Sequence, residues 1–255
     1  MIKKLWSKWR KSLHHDSFKK IIASPKNTLY IFLFDVLFFL VIYYLNLFVK
    51  ELSPTKIAEN SIFIYLLPII LLLYGFLVIF VYSIFKYFIL SFLSDMNNNQ
   101  RKLRFDNRLL KFYGLNIVLF FSVFFFFGFL NLVTKAFINA EYLNKGLLIL
   151  LVPISIIVYL LWNVAHILYL SRKIRDIFRL IFTKEIIKRA LFVFLSSLIF
   201  FVFYLIIFYG ISFALYGKVS QMSFTIILTI ITYIAYYLIH FHNRVYLYMI
   251  INGKD

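Results

Sequence analysis

The sequence contains no cysteine, only four proline and seven glycine residues, and ten acidic residues among its 255. Without cysteine the chain can form no disulfide, no zinc–thiolate site and no thiol nucleophile. The scarcity of acidic residues leaves a formal charge of +18, which in a soluble protein would suggest a nucleic-acid partner. Here the cations lie in short segments between apolar runs, where membrane topology and anionic lipid account for them. We therefore expect no nucleic-acid partner.

Long uncharged runs are what the sequence has in abundance. The chain is 63% hydrophobic, whereas soluble domains are about 45–50% apolar. A membrane-spanning helix needs about 20 mostly apolar residues. Six such runs occur, at residues 28–49, 62–85, 113–133, 147–170, 190–213 and 224–241. The sequence therefore predicts an all-α integral membrane protein with six transmembrane helices in one polytopic domain covering residues 1–255.

Lysine and arginine residues predict the orientation of these spans. Residues 1–27, 94–112, 171–189 and the C-terminal tail together carry 22 of them, and the alternate loops carry five. Because cytoplasmic loops are enriched in lysine and arginine, both termini are predicted to lie in the cytoplasm, with the protein in the cell membrane.

A threefold repeat is suggested by comparing the chain with itself. The predicted units are hairpin 1 (28–93), hairpin 2 (94–170) and hairpin 3 (171–255, including a cytoplasmic tail), after a cytoplasmic amphipathic segment at 1–27. A shift of 85 residues aligns six identical residues of hairpins 1 and 2, and a shift of 74 aligns hairpin 2 with hairpin 3. In hairpin 1 the six identical residues are Leu45, Asn46, Leu47, Lys50, Pro68 and Tyr74. The alignment of hairpin 2 with hairpin 3 places Ser122 on Ser196, Ser155 on Thr229, Tyr159 on Tyr233 and His166 on His240.

Each repeat is predicted to begin with a basic amphipathic helix in the headgroup plane. The apolar positions recur at helical spacing, and lysine and arginine fill the other face. They are Ile2, Leu5, Trp6, Trp9, Leu13, Phe18 and Ile21 in the first segment, Leu103, Phe105, Leu109 and Leu110 in the second, and Ile174, Ile177, Phe178, Ile181, Ile186 and Ile187 in the third. These helices are expected to join the hairpins, with a partner-binding surface as the alternative.

Polar residues inside the spans are the candidate functional residues, because an ionisable group in hydrocarbon is costly and is often retained for function. Asp35 is the only acidic residue within a predicted span, and two later spans carry polar stripes that end in histidine. The candidate substrate or ion site comprises Asp35, Asn46, Lys86, Tyr159, Asn163, His166, Tyr233 and His240. The structural alternative is that Lys86 reaches the headgroups, that Asp35 is protonated or pairs with Lys86, and that the histidines are interfacial.

These residues favour a non-enzymatic membrane protein without a cofactor. No GxSxG, HExxH or Walker A motif occurs, and His14, His15 and Asp16 lack the further ligands that a metal site needs. The leading hypothesis is a transporter-like unit or the membrane subunit of a transport assembly, with Asp35 as the ion or proton site and His166 and His240 at its entry. The alternative is a scaffold that binds a membrane-protein partner, another copy of itself or anionic lipid headgroups. An intramembrane lipid enzyme is the least favoured class.

Overall fold

The computed structural model describes residues 13–51, 61–96, 107–137, 143–215 and 220–252. Within these ranges the secondary structure is entirely α-helical. The helices are α1 (Leu13–Ala23), α2 (Pro25–Glu51), α3 (Ser61–Met96), α4 (Asn107–Phe137), α5 (Leu143–Tyr169), α6 (Ile174–Ile181), α7 (Lys184–Leu215) and α8 (Gln221–Asn252).

Five of these helices are long and apolar enough to cross a bilayer. The candidate spans are Pro25–Lys50, Leu66–Met96, Asn107–Ala136, Lys184–Phe213 and Met222–Ile251. The predicted fourth span, residues 147–170, falls in α5. The apolar stretch of this helix, Ile154–Tyr169, is shorter than the five candidate spans. Many large apolar side chains on the long helices are exposed, such as Phe125 at 67% and Phe213 at 88%. Lipid is the environment that such surfaces require, and the chain is a multi-pass membrane protein.

Two proline residues lie within long helices. Pro68 lies inside α3, and α5 runs from Leu143 to Tyr169 through Pro153. Proline within a membrane helix is tolerated because neighbouring helices and local adjustments satisfy the freed backbone groups.

The first compact unit comprises residues 24–154 and contains α2, α3, α4 and the start of α5. Helix α3 packs on both α2 and α4. Its second half forms the centre of the unit, where Ile79, Ile89, Leu90 and Leu93 are buried. Helix α3 continues to Met96, well beyond the predicted end of the second span at residue 85, because these apolar side chains pack between neighbouring helices.

The second compact unit comprises residues 1–23 and 155–255 and contains α1, the end of α5, α6, α7 and α8. Helices α7 and α8 pack along each other, and the Tyr204 hydroxyl donates to Thr232 Oγ1 at 2.8 Å between them. Helix α1 packs on α8, and α6 packs on α7. The predicted hairpin 2, residues 94–170, contributes residues to both units.

The predicted amphipathic segments take three different forms. Residues 2–12 of the first and 97–106 of the second lie outside the described ranges, and Leu13–Ala23 of the first is helical. Leu109 and Leu110 belong to α4 itself, because no helix-breaking residue separates them from the apolar run that follows. The third segment divides into α6 and the first turn of α7, which contains Ile186 and Ile187.

Candidate functional site

The contacts between α2 and α3 fix how these two helices align in the first unit. Each forward step along α2 is matched by a similar backward step along α3, so the helices run antiparallel. The contact pairs are Tyr30 with Phe92, Phe34 with Phe88, Phe38 with Tyr82, and Asn46 with Tyr74. This alignment places Asp35 of α2 and Lys86 of α3 at the same level of the helix pair.

Asp35 and Lys86 are both buried at that level, with 6% and 8% of their surfaces exposed. Both lie within candidate spans, and α3 continues from Lys86 to Met96. An isolated ion in such a place is costly, and an opposite charge in the same apolar layer offsets part of that cost. The geometry therefore fits the predicted alternative in which the two groups neutralise each other better than it fits a lysine that reaches the headgroups.

A hydrogen-bonded pair extends this polar layer from α3 to α4. Asn116 Nδ2 donates to Ser83 Oγ at 2.9 Å, and Ser83 Oγ donates to the Ile79 carbonyl oxygen at 2.6 Å. Both side chains are 0% exposed. Ser83 precedes Lys86 by three residues, so the two share one side of α3. We refer to Asp35, Ser83, Lys86 and Asn116 as the buried polar layer.

Asn46, the third predicted residue of this unit, lies elsewhere on α2. Its Oδ1 accepts a hydrogen bond of 2.7 Å from the Tyr74 hydroxyl, and its side chain is exposed. It therefore joins the same two helices at a different level from Asp35 and Lys86.

In the second unit, the structure brings two of the predicted stripe residues together. The Tyr159 hydroxyl lies 3.2 Å from His240 Nδ1, which joins α5 to α8. Asn163 Nδ2 donates to the Tyr159 carbonyl oxygen at 2.8 Å, and His166 is fully buried. Tyr233, by contrast, is 71% exposed and faces away from the core of the unit.

We expect Tyr159→Phe to weaken the contact between α5 and α8 by about 0.5–1.5 kcal/mol, because it removes one hydrogen bond to His240. The measurement is the unfolding midpoint in mixed detergent. The matched control is Tyr233→Phe, which removes a hydroxyl from the exposed tyrosine. Equal midpoints for the two variants would contradict the prediction.

A second cluster, which the sequence analysis did not identify as a site, joins α1 to α8. We call it the histidine–aromatic cluster; its members are His14, Ser17, Phe18, Phe200, His242 and Tyr246. Ser17 is 0% exposed, and its Oγ lies 2.8 Å from His242 Nε2. Ser17 Oγ also donates to the His14 carbonyl oxygen at 2.8 Å. Because a serine has a single hydroxyl hydrogen, His242 Nε2 is the donor to Ser17.

Stacked rings close this cluster around His242. Phe18 stacks on His242 with ring centroids 4.3 Å apart, and His14 stacks on Tyr246 at 3.9 Å. Phe200 of α7 meets the edge of the His242 ring at 5.1 Å. Burial lowers the pKa of His14, so the docked helix favours the neutral imidazole.

Metal binding by the His14, His15 and Asp16 trio was not expected from the sequence. In the part of the chain that the structure describes, no group of three or more histidine, aspartate or glutamate residues is placed to hold a metal ion.

No protein-family model, no curated protein and no solved structure matches this chain. The functional inferences that follow therefore rest on the side chains of the two units themselves.

Several residues of these sites were missed by sequence reasoning, and Asn116 and His242 are the most informative of them. Asn116 interrupts an apolar run and could have been noticed as a polar residue within the third predicted span. His242 lies one residue beyond the predicted sixth span, and its partner Ser17 is 225 positions away, so no local pattern identifies their contact.

Proposed function

We propose that this protein is a non-enzymatic membrane transport unit in which Asp35 is the proton or cation site. In this proposal six spans form three hairpin repeats with both termini in the cytoplasm. The observation that supports it is the burial of Asp35 and Lys86 at one level between α2 and α3, inside candidate spans. Ionisable groups at such positions commonly mark ion and proton pathways.

The proposed mechanism uses the charge balance of the buried polar layer. A proton or monovalent cation that reaches Asp35 neutralises the carboxylate and weakens its attraction to the Lys86 ammonium group. The freed positive charge then disfavours the same packing of α2 against α3, because a lone buried ion is costly. Ser83 and Asn116 supply polar groups on the α4 side of α3.

The test is ion flux through purified protein in liposomes, with a trapped pH dye for protons and indicator dyes for sodium and potassium. Asp35→Asn should reduce the protein-dependent flux at least about tenfold, because the amide keeps the volume and loses the charge on which the site depends. The matched control is Asp176→Asn on α6, an exposed aspartate outside the candidate spans. Flux that is unchanged by Asp35→Asn would overturn the assignment.

A scaffold function is the second candidate, and the docking of α1 on α8 favours it. The histidine–aromatic cluster fixes α1 on α8, so the exposed Lys19 of α1 is attached to a defined surface. Under this function, Asp35→Asn is tolerated and removal of residues 1–20 abolishes activity. Copurification from native membranes in mild detergent distinguishes the two, because a scaffold brings a stoichiometric membrane-protein partner and a stand-alone transporter is recovered alone or as a homo-oligomer.

A further inference from the structure

A basic surface lies on the connection between α5 and α7 in the second unit. We call residues 170–188 the basic connector. Six of its side chains are exposed cations: Arg172, Lys173, Arg175, Arg179, Lys184 and Lys188. Its two acidic residues are the exposed Asp176 and Glu185, and Glu185 is bound by Arg189 at 2.7 Å, so cations outnumber acidic groups on this surface.

The basic connector is held in place by buried contacts. Ile177 and Ile181 of α6 are 0% and 3% exposed, and α6 packs on α7. Arg189 Nη1 donates to the Ile250 carbonyl oxygen at 2.9 Å and ties the start of α7 to the end of α8. With its apolar face buried, α6 presents Arg175 and Arg179, four residues apart, on its exposed face.

The position of the connector along the chain places it at the bilayer surface. The apolar helix before it ends at Tyr169, and the next candidate span begins at Lys184. Residues 170–183 therefore join two apolar helices, and a short connection of this kind in a membrane protein is expected to meet the lipid headgroups. Phe182 in this segment is 68% exposed, which suits insertion at the boundary between headgroups and acyl chains.

We propose that the basic connector binds anionic phospholipids through their headgroup phosphates. Arginine side chains match phosphate oxygens with two parallel hydrogen bonds, and the neighbouring lysines add attraction to the negatively charged surface. Phe182 anchors the same segment in the apolar layer. This inference does not depend on the transport proposal, because it uses a different surface and no residue of the buried polar layer.

The absence of native cysteine allows a single reporter to be placed on this surface. Phe182→Cys is labelled with a bimane fluorophore and reconstituted into phosphatidylcholine liposomes. Each sample contains a small fraction of either brominated phosphatidylglycerol or brominated phosphatidylcholine as quencher. We expect brominated phosphatidylglycerol to quench the fluorophore about tenfold more effectively than brominated phosphatidylcholine at low salt, because several cations near a membrane surface together attract anionic lipid. The preference should fall at high salt, where the Debye length is about 3 Å at 1 M.

Two matched variants of the reporter protein show which cations cause the preference for phosphatidylglycerol. Replacing Arg172, Lys173, Arg175 and Arg179 by glutamine should abolish most of the preference for phosphatidylglycerol. Replacing the exposed Lys26, Lys50, Lys111 and Lys135 by glutamine removes the same charge and should leave the preference intact. Equal quenching by both lipids before substitution, or an unchanged preference in the first variant, would overturn the proposal. If the first variant fails to fold, the salt series on the unsubstituted reporter protein tests the proposal. A preference for phosphatidylglycerol that does not change with salt would exclude phosphate binding by the cations.

Discussion

Replacing Lys86 by methionine is expected to lower the free energy of unfolding by about 3–5 kcal/mol at neutral pH, because it leaves the Asp35 carboxylate buried without the opposite charge at its level. Methionine is long and apolar, so little of the loss should come from packing. The measurement is the free energy of unfolding in mixed micelles of a mild and a denaturing detergent. The control is Lys111→Met on α4, where the lysine is exposed and removal of its charge should have little effect.

A double-mutant cycle separates the charge interaction from other effects of the substitution. Removing both charges in Asp35→Leu and Lys86→Met should recover most of the lost stability, because a buried ion pair replaced by apolar groups of similar volume is often neutral or stabilising. The coupling between the two sites should therefore be at least about 1 kcal/mol, above the 0.3–0.5 kcal/mol expected of independent sites. Additive effects of the two single substitutions would show that Asp35 and Lys86 do not interact. They would also remove the charge balance on which the proposed transport mechanism depends.

Five of the six predicted spans correspond to candidate membrane helices, because the bilayer imposes a simple rule on the chain. Backbone groups in hydrocarbon must be satisfied within the helix, so long uncharged runs identify the spans. The burial of the end of α3 was less predictable, because it depends on packing by side chains such as Leu90 and Leu93. Hydropathy along one chain does not contain that information, since it depends on which helices are neighbours.

The candidate sites were predictable only in part, because their contacts also depend on which helices are neighbours. Asp35 and Lys86 could be identified as ionisable residues in or beside predicted spans, but their common level depends on the alignment of α2 with α3. The polar stripes of the fourth and sixth spans suggested Tyr159 and His240, yet their contact depends on how closely α5 approaches α8 at this point. The Ser17–His242 contact could not be predicted at all, because it joins an amphipathic segment to a helix end far along the chain.

Replacing His242 by alanine is expected to release α1 from α8. The substitution removes the ring that contacts Phe18, Phe200 and Tyr246. The hydrogen bond to Ser17 does not contribute to the measured difference, because the Ser17→Cys reporter lacks the serine hydroxyl with or without His242→Ala. Loss of a buried ring of this size costs about 2–4 kcal/mol, which corresponds to on the order of a hundredfold more of the released form. Ser17→Cys provides the reporter, since the position is 0% exposed and the chain has no native cysteine. The rate of maleimide labelling should rise by that factor when His242→Ala is added.

The matched control for this release experiment is His240→Ala in the same Ser17→Cys background. His240 lies two positions away on α8 and contacts Tyr159 and Tyr236, which are not members of the histidine–aromatic cluster. Its loss should leave the labelling rate of Cys at position 17 within about threefold of the parent, because substitutions without shared partners act independently. A similar acceleration in both variants would mean that α8 as a whole is destabilised and that the cluster does not hold α1.

The docking of α1 should also weaken as the pH falls, and the sign follows from the lowered pKa of His14. Burial lowers this pKa below the ordinary value of 6.5, so the docked helix binds fewer protons than the released helix. Docking is therefore strongest above pH 6.5 and weakens as the pH falls from 6.5 toward the lowered pKa. The rings that face His14 are the imidazole of His242 and the phenol of Tyr246, both on α8, and the phenyl ring of Phe200 on α7. A protonated His14 would therefore lie next to a second imidazole and two aromatic rings. Burial lowers the pKa of Lys20 from 10.5 as well, opposed by Asp16.

The pH series measures labelling of the Ser17→Cys protein between pH 5 and 7.5, normalised to Ile22→Cys, because thiol reactivity itself changes with pH. Ile22 is on the same helix and 77% exposed, so its labelling does not require release. The normalised rate should rise as the pH falls, and His14→Gln should remove most of the rise by replacing the titrating ring with a neutral side chain. A normalised rate that is flat across this range, or a rise that persists in His14→Gln, would show that His14 does not control the docking of α1.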